Sequence, residues 1–251
     1  MSAPSDPAPA PRQLPLSGGD LLLILIFGLG AVRVLGAVVV VGMGLTDPDQ
    51  DTAHSSVLMA TVLLLVAQTL AILLAIRALA IRKHGLSWAD LGFRPAARQW
   101  YGRAAAIAIF LVPAVALVNF TIGQIEGKPF ENPQIYAIAP AGFNWTGLIV
   151  MTVVAGAVAP FAEEIAFRGL FFAWLRERIG LLAAVAISAV AFGSLHGVIQ
   201  LIPSLTVIGA VLAVLYHRCG SLYPVMLTHG LFNAIMVVTL YSALAGATTG
   251  P

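Results

Sequence analysis

The chain has 251 residues, of which 59% are hydrophobic and 10% charged, with a formal net charge of +2. A soluble domain of this length carries more charge on its surface, so the composition argues against one and for membrane-spanning helices, in which the 24 glycines and 15 prolines are no sign of disorder. The small net charge and the lack of any basic run with interleaved aromatics argue against nucleic acid as a partner, and the single Cys219 can form neither an internal disulfide nor a cysteine metal cluster.

In chain order, residues 1–19 are proline-rich and lack apolar periodicity, which predicts a flexible tail. An apolar run from Leu21 to about Leu45 follows. It is too long for a signal-peptide core and reads as the first membrane helix. Arg33 lies midway along it, a costly charge in hydrocarbon that could snorkel, pair with an acidic group or face a wet cavity. Further apolar runs cover 56–80, 103–123, 146–175, 181–199, 202–217 and 222–244. A membrane helix needs roughly 20 apolar residues. The runs on either side of Pro203 are short for that and read as a tilted pair or a broken hairpin. The sum is an all-α, polytopic transmembrane helix bundle of about seven spans, with six or eight as alternatives, forming a single domain over 20–245.

The connections set direction by their basic residues. The one after the second run carries Arg77, Arg82, Lys83, Arg94, Arg98 and Arg103; Arg176 and Arg178 follow the fourth run and Arg218 the sixth. The first connection holds Asp47, Asp49 and Asp51 with no Lys or Arg, and the long connection 124–145 has only Lys128 against Glu126 and Glu131. This alternation predicts a cytoplasmic amino terminus and an external carboxyl terminus. Residues 85–95, GLSWADLGFRP, are amphipathic, hold Trp88 and Phe93, and read as an interfacial helix or turn or as an ordinary loop. His54 and His84 in connections, and His217 beside Arg218, read as solvated; Cys219 reads as a surface thiol.

Glu163 and Glu164 lie deep inside an apolar run, VVAGAVAPFAEEIAFRGLFF. Ionised carboxylates in hydrocarbon are expensive, so the pair points to a polar cavity with a task. Adjacent carboxylates repel and call for a cation; Arg168, four residues after Glu164 on the same helical face, can supply it. Glu163 is turned about 100° away and is the freer of the two to act as a base. A buried Glu164–Arg168 pair that only orients helices is the plain alternative. His196 ends the fifth run, four residues after Phe192, and His229 lies in the last run, four residues before Asn233. At about 1.5 Å per residue from the cytoplasmic edge, Glu163 lies roughly 18 Å deep, His196 roughly 24 Å and His229 roughly 12 Å. Helix tilt can close those gaps.

At these residues the chain resembles the CAAX-protease and bacteriocin-processing family of membrane proteins, the group that includes the Ras-converting CAAX endopeptidase. Glu163, Glu164 and Arg168 match E-E-x-x-x-R, Phe192 and His196 match F-x-x-x-H, and His229 and Asn233 match H-x-x-x-N, in the family's order. LSWADLGFRP is also similar to a stretch common in bacterial members, so the likeness covers roughly 85–240, with the motif core at about 146–240. The resemblance implies an intramembrane endopeptidase, placed in a bacterial plasma membrane, with a cavity opening to the cytoplasm and a peptide or protein as substrate. Eukaryotic members cleave prenylated carboxy-terminal peptides; no residue here signals a prenyl group. Glu163 would be the general base, His196 would hold the water, and His229 and Asn233 would face the oxyanion. Glu164 and Arg168 would support them. A metallopeptidase version, with His196, His229 and Glu163 as candidate Zn²⁺ ligands, fits the same residue types, although no H-E-x-x-H occurs. A non-catalytic immunity or scaffold protein of the same fold and an ion-coupled transporter are the other classes. The transporter is disfavoured because no internal repeat is visible.

Overall fold

The computed structural model describes residues 14–26, 30, 36 and 53–248, with side chains to residue 246. Most of the run from Leu21 to Leu45, with Arg33, the acidic connection at Asp47, Asp49 and Asp51, and the side chain of His54 lie outside the described residues.

The described residues are helical and contain no strand. Helix α1 is Gly18–Leu25. Helix α2 runs as Ala53–Ile76 and continues as a π-helical stretch, Arg77–Arg82. Helix α3 is Gln99–Glu126, and α4 is the short Ile135–Ile138. Helix α5 is one continuous rod, Trp145–Ile179, interrupted by π-helical segments at Val154–Val158 and Ile165–Phe172. Helix α6 is Leu181–Leu195, α7 is Ile202–Cys219 and α8 is Leu222–Thr248. Five stretches are long and apolar enough to cross a bilayer: Ser56–Arg82, Gln99–Glu126, Trp145–Ile179, Ile199–Cys219 and Leu222–Gly246. With the shorter apolar α6 they make an integral membrane protein, and the expected run at 21–45 would bring the total to about seven.

Of the two readings of 181–217, the broken hairpin is the observed one. Helix α6 stops at Leu195, short of the predicted residue 199, because His196 leads into Gly197, whose φ of +74° is left-handed. A 3₁₀ turn at Ile199–Leu201 follows, and Pro203 stands in the first turn of α7, where a missing N–H costs nothing.

Residues 85–95 form a tight turn packed into the bundle, and no helix forms there. Ser87 and Asp90 close the turn reciprocally: the Ser87 N–H and hydroxyl donate to Asp90 Oδ2 at 2.8 and 2.6 Å, and the Asp90 N–H donates to Ser87 Oγ at 3.2 Å. Its apolar side enters the core through Leu86 and Leu91, which are buried. The Gly92 carbonyl accepts from the Leu222 N–H at 2.9 Å, and the Arg94 carbonyl accepts from the Ser221 hydroxyl at 2.6 Å. The turn thus supplies a partner for an N–H that the first turn of α8 cannot satisfy itself. It also seats on α5 at Gly169, where a Cβ would stand 2.5 Å from the Leu91 carbonyl oxygen.

The amino-terminal residues 14–17, expected as part of the tail, lie against the far end of α5. Leu14 and Leu16 are buried. The Leu14 N–H donates to Glu177 Oε2 at 3.1 Å, and Trp174 Nε1 donates to the Leu16 carbonyl at 2.8 Å. Ser17 caps α1 in a capping box with Asp20. Asp20 is itself buried and takes Lys83 Nζ at 2.6 Å and His84 Nε2 at 2.9 Å. His84, read from sequence as solvated, is therefore a hydrogen-bond partner of Asp20. It closes the end of α2, and its side chain is 18% exposed. The Lys83 and Ser17 hydrogen bonds hold the Asp20 carboxyl well below its ordinary value of 3.8. A lowered carboxyl contributes stability that is present above the unfolded value and lost as the pH falls through the folded one. Wild type should therefore be more stable than Asp20→Asn at pH 7. The gap between their unfolding curves should shrink steadily once the pH drops below about 4; a gap that does not change with pH would contradict the ion pairs.

Candidate active site

Glu163 and Glu164 end a short α-helical turn, Ala159–Glu164, that separates the two π segments of α5. Pro160 stands at its start. A helical bond from residue 160 to the Gly156 carbonyl is impossible because proline has no N–H, and a widened turn just before a proline relieves the clash with that carbonyl. The Gly156 carbonyl oxygen instead faces Gly230 of α8, so closely that a Cβ at 230 would overlap it. This glycine crossing sets α5 and α8 side by side and brings the residues after 156 and around 230 together.

The charges that follow are enclosed. Glu164 is 0% exposed, Arg168 2%, His229 3% and Glu163 7%. Glu164 Oε1 accepts from Arg168 Nη1 at 2.8 Å and meets His229 Nδ1 at 2.7 Å. Arg168 Nη2 donates to the Gly209 carbonyl of α7 at 3.1 Å, and the guanidinium carbon lies 4.5 Å from the centre of the Phe192 ring. His229 Nε2 lies 3.9 Å from Glu163 Oε2. One imidazole therefore stands between the two carboxylates, and one guanidinium compensates the more deeply buried of them. Glu164 Oε2 is buried and has no hydrogen-bond partner among the described residues.

Phe192 joins His196 to this group. Its ring makes edge contacts with both imidazoles, at centroid distances of 4.7 Å to His196 and 5.7 Å to His229. His196 Nδ1 lies 2.7 Å from the Phe192 carbonyl oxygen. A carbonyl only accepts, so Nδ1 carries the proton and Nε2 of the neutral ring is the acceptor nitrogen. His229 follows the same logic against the Glu164 carboxylate, which fixes its ring orientation. Asn233, one turn beyond His229, donates from Nδ2 to the Ala155 carbonyl of α5 at 2.9 Å. That bond uses one of its two amide hydrogens and leaves the other for a ligand.

The sequence-predicted residues Glu163, Glu164, Arg168, Phe192 and His229 thus form one contiguous group on α5, α6 and α8, with His196 packed on Phe192. Asn233 is tied to the backbone of α5 and not to that group. Two participants had no signal in the sequence. The Gly209 and Ala155 carbonyls act through the backbone, and only the small residues around them hinted at close approach.

The donor set does not fit a zinc site. Among the described residues no three His, Cys, Asp or Glu side chains come together at metal-ligand spacing. The candidate ligands His196, His229 and Glu163 are not such a group. Cys219, read as a surface thiol, is partly buried and bonded to the Ser221 carbonyl at 3.2 Å.

A membrane helix bundle with a buried carboxylate–imidazole–guanidinium cluster held by four of its helices is the class that fold and geometry define. Residues 144–235 match the family model described as Type II CAAX prenyl endopeptidase Rce1-like. Over 133 residues the chain is 29% identical to a Bacillus subtilis (strain 168) protein named "Putative membrane peptidase YdiL"; the match covers 53% of this chain and 52% of that relative, about half of its length. No solved structure matches. The family match covers the segment that holds the buried cluster.

Proposed function

We propose that the protein is an intramembrane endopeptidase that hydrolyses a peptide bond with a water activated by Glu163. The observation that carries this reading is a carboxylate pair inside the bundle in which one member is committed to Arg168 and His229, while the other meets the same imidazole only at 3.9 Å. The first is held by the guanidinium and the imidazole. The second is available to take a proton.

Glu163 removes a proton from water as the water oxygen bonds to the scissile carbonyl carbon. Nε2 of His196 accepts from the remaining hydrogen of that water and orients it. The oxyanion that forms is met by the unspent amide N–H of Asn233 and by Nε2 of His229. Nε2 can donate only in the imidazolium form, for which Glu164 is a ready counter-ion. Glu163 then passes its proton to the leaving nitrogen, the C–N bond breaks, and a carboxylate and an amine are released. The basic end of the bundle, with Arg82, Arg94, Arg176 and Arg218, would face the cytoplasm of a bacterial cell and place the amino terminus there.

A natural substrate is found by comparing membrane and secreted peptides from cells carrying wild type or Glu163→Ala. With the purified protein and that peptide, with and without a prenyl group, His229→Ala should lower kcat by about 10²–10³-fold, the cost of one oxyanion donor. Turnover like that of wild type would remove His229 from the mechanism.

A further inference from the structure

The segment of residues 14–20 grips the helix that carries the cluster. Its grip has two ends. At one, Leu14 and Leu16 hold α5 through Glu177 Oε2 and Trp174 Nε1, at 3.1 and 2.8 Å, with the Trp174 ring also packed near Gly18. At the other, the Asp20 carboxylate collects four donors: Lys83 Nζ at 2.6 Å on Oδ1, and the Ser17 N–H at 3.1 Å, the Ser17 hydroxyl at 2.7 Å and His84 Nε2 at 2.9 Å on Oδ2. Residues 14–20 therefore bridge the ends of α2 and α5.

Between Trp174 and Glu164 lies the second π segment, Ile165–Phe172. A π turn holds one residue more than the i→i+4 ladder allows, and such turns occur mainly as short insertions in α-helices. Its removal by a one-residue slip would turn one side of the helix against the other by about 100°, the angular step of one residue in a 3.6-residue turn. A slip of that kind would take the carboxylates of residues 163 and 164 off His229. It can occur only if one flank of the segment rotates. The near flank is held by the Gly156–Gly230 crossing, and Leu91 presses on the middle at Gly169. The far flank, Ala173–Ile179, is the part that Leu14 and Leu16 grip.

We propose that residues 14–20 are a strap that locks the register of the Ile165–Phe172 segment, with Asp20 and Trp174 as positioning residues for Glu163 and Glu164. The effect on turnover rests on the peptidase reading; the effect on the helix does not.

Hydrogen exchange of the full chain in lipid nanodiscs, followed by peptide-resolved mass spectrometry, tests it. Asparagine at 20 puts an amide N–H₂ where one oxygen now accepts, so Asp20→Asn should release the strap. Exchange in 14–20 and in 165–179 should quicken about tenfold while 202–219 keeps its wild-type rate. Trp174→Phe removes only the Nε1 bond and should move the same peptides by less, which keeps the test alive should Asp20→Asn fail to fold. Asp20→Glu restores the charge and should recover most of the protection. In the cleavage assay kcat should drop severalfold in Asp20→Asn with KM unchanged. A released strap with 165–172 still at its wild-type rate would overturn the proposal, as would equal quickening in 165–179 and 202–219. Loosened 165–179 with undiminished kcat would overturn the positioning role. A wild-type protein without any cleavage would count against the peptidase reading alone, and the exchange rates would still decide the strap.

Discussion

Replacing Glu163 by glutamine should lower kcat for peptide hydrolysis by about 10²–10⁴-fold, the usual worth of a general base, and leave resistance to unfolding close to that of wild type. Glutamine has nearly the same shape, so the helix crossing and the packing around residue 163 persist. What disappears is the capacity to hold a proton between water and leaving nitrogen. Among the described residues the nearest polar partner of Glu163 is His229 Nε2 at 3.9 Å, too far for a hydrogen bond, so little folding energy depends on its charge. KM should change little, because no charged substrate group is invoked at that position. Kinetics of the purified variant, beside an SDS-unfolding curve of the same preparation, separate the two quantities. Cleavage at the wild-type rate, or lost activity that comes with a collapsed unfolding curve, would sink the assignment of Glu163 as base.

The membrane bundle was legible from the chain because hydrocarbon tolerates so few alternatives: long apolar runs must be helices, and the predicted runs 56–80, 103–123 and 222–244 all fall inside observed helices. The contact of Glu164 with Arg168 was legible for a local reason, a spacing of four on one helix. The proximity of Phe192 to His196 had the same origin. The depth estimates placed His229 nearer the basic end than Glu163 and did not foresee a direct contact with Glu164. They assumed a constant rise per residue, whereas α5 contains two π segments and is 35 residues long. Nothing in local pattern marks a π turn beyond the proline that follows the first one. The partners of Asp20 were hidden for a different reason. Lys83 and His84 lie 63 and 64 residues away, and a histidine at the end of a basic connection looks solvated until the strap that covers it is placed. The same holds for residues 85–95, whose amphipathic pattern suited a membrane surface equally well, while their backbone carbonyls meet α5 and α8.

Neutralising Glu164, unlike neutralising Glu163, should cost stability: Glu164→Gln should lose about 3–5 kcal/mol of unfolding free energy, the penalty for leaving one member of a buried pair uncompensated. Arg168 would remain charged at 2% exposure, with the Gly209 carbonyl as its hydrogen-bond acceptor and the Phe192 and Phe167 rings beside it. The glutamine oxygen can still accept the His229 Nδ1 hydrogen, so the loss is one of charge rather than of shape. Arg168→Met should cost a similar amount, because it leaves the Glu164 carboxylate in the core with the imidazole as its single compensating group. The double variant Glu164→Gln/Arg168→Met removes both charges and keeps the His229 acceptor. It should recover at least half of the single-variant loss, since buried pairs are dear to break and cheap to replace together. The Oε2 atom that already lacks a partner means that the native pair is not fully satisfied, which favours that recovery. A thermodynamic cycle from SDS unfolding of the four proteins measures it, and strictly additive losses would show that Glu164 and Arg168 do not act on each other. Cleavage in the double variant should stay low even where stability returns, because the carboxylate that orients the His229 ring is gone. Stability and turnover would then part company at Glu164: the fold needs charge balance there, and the reaction needs the charge itself.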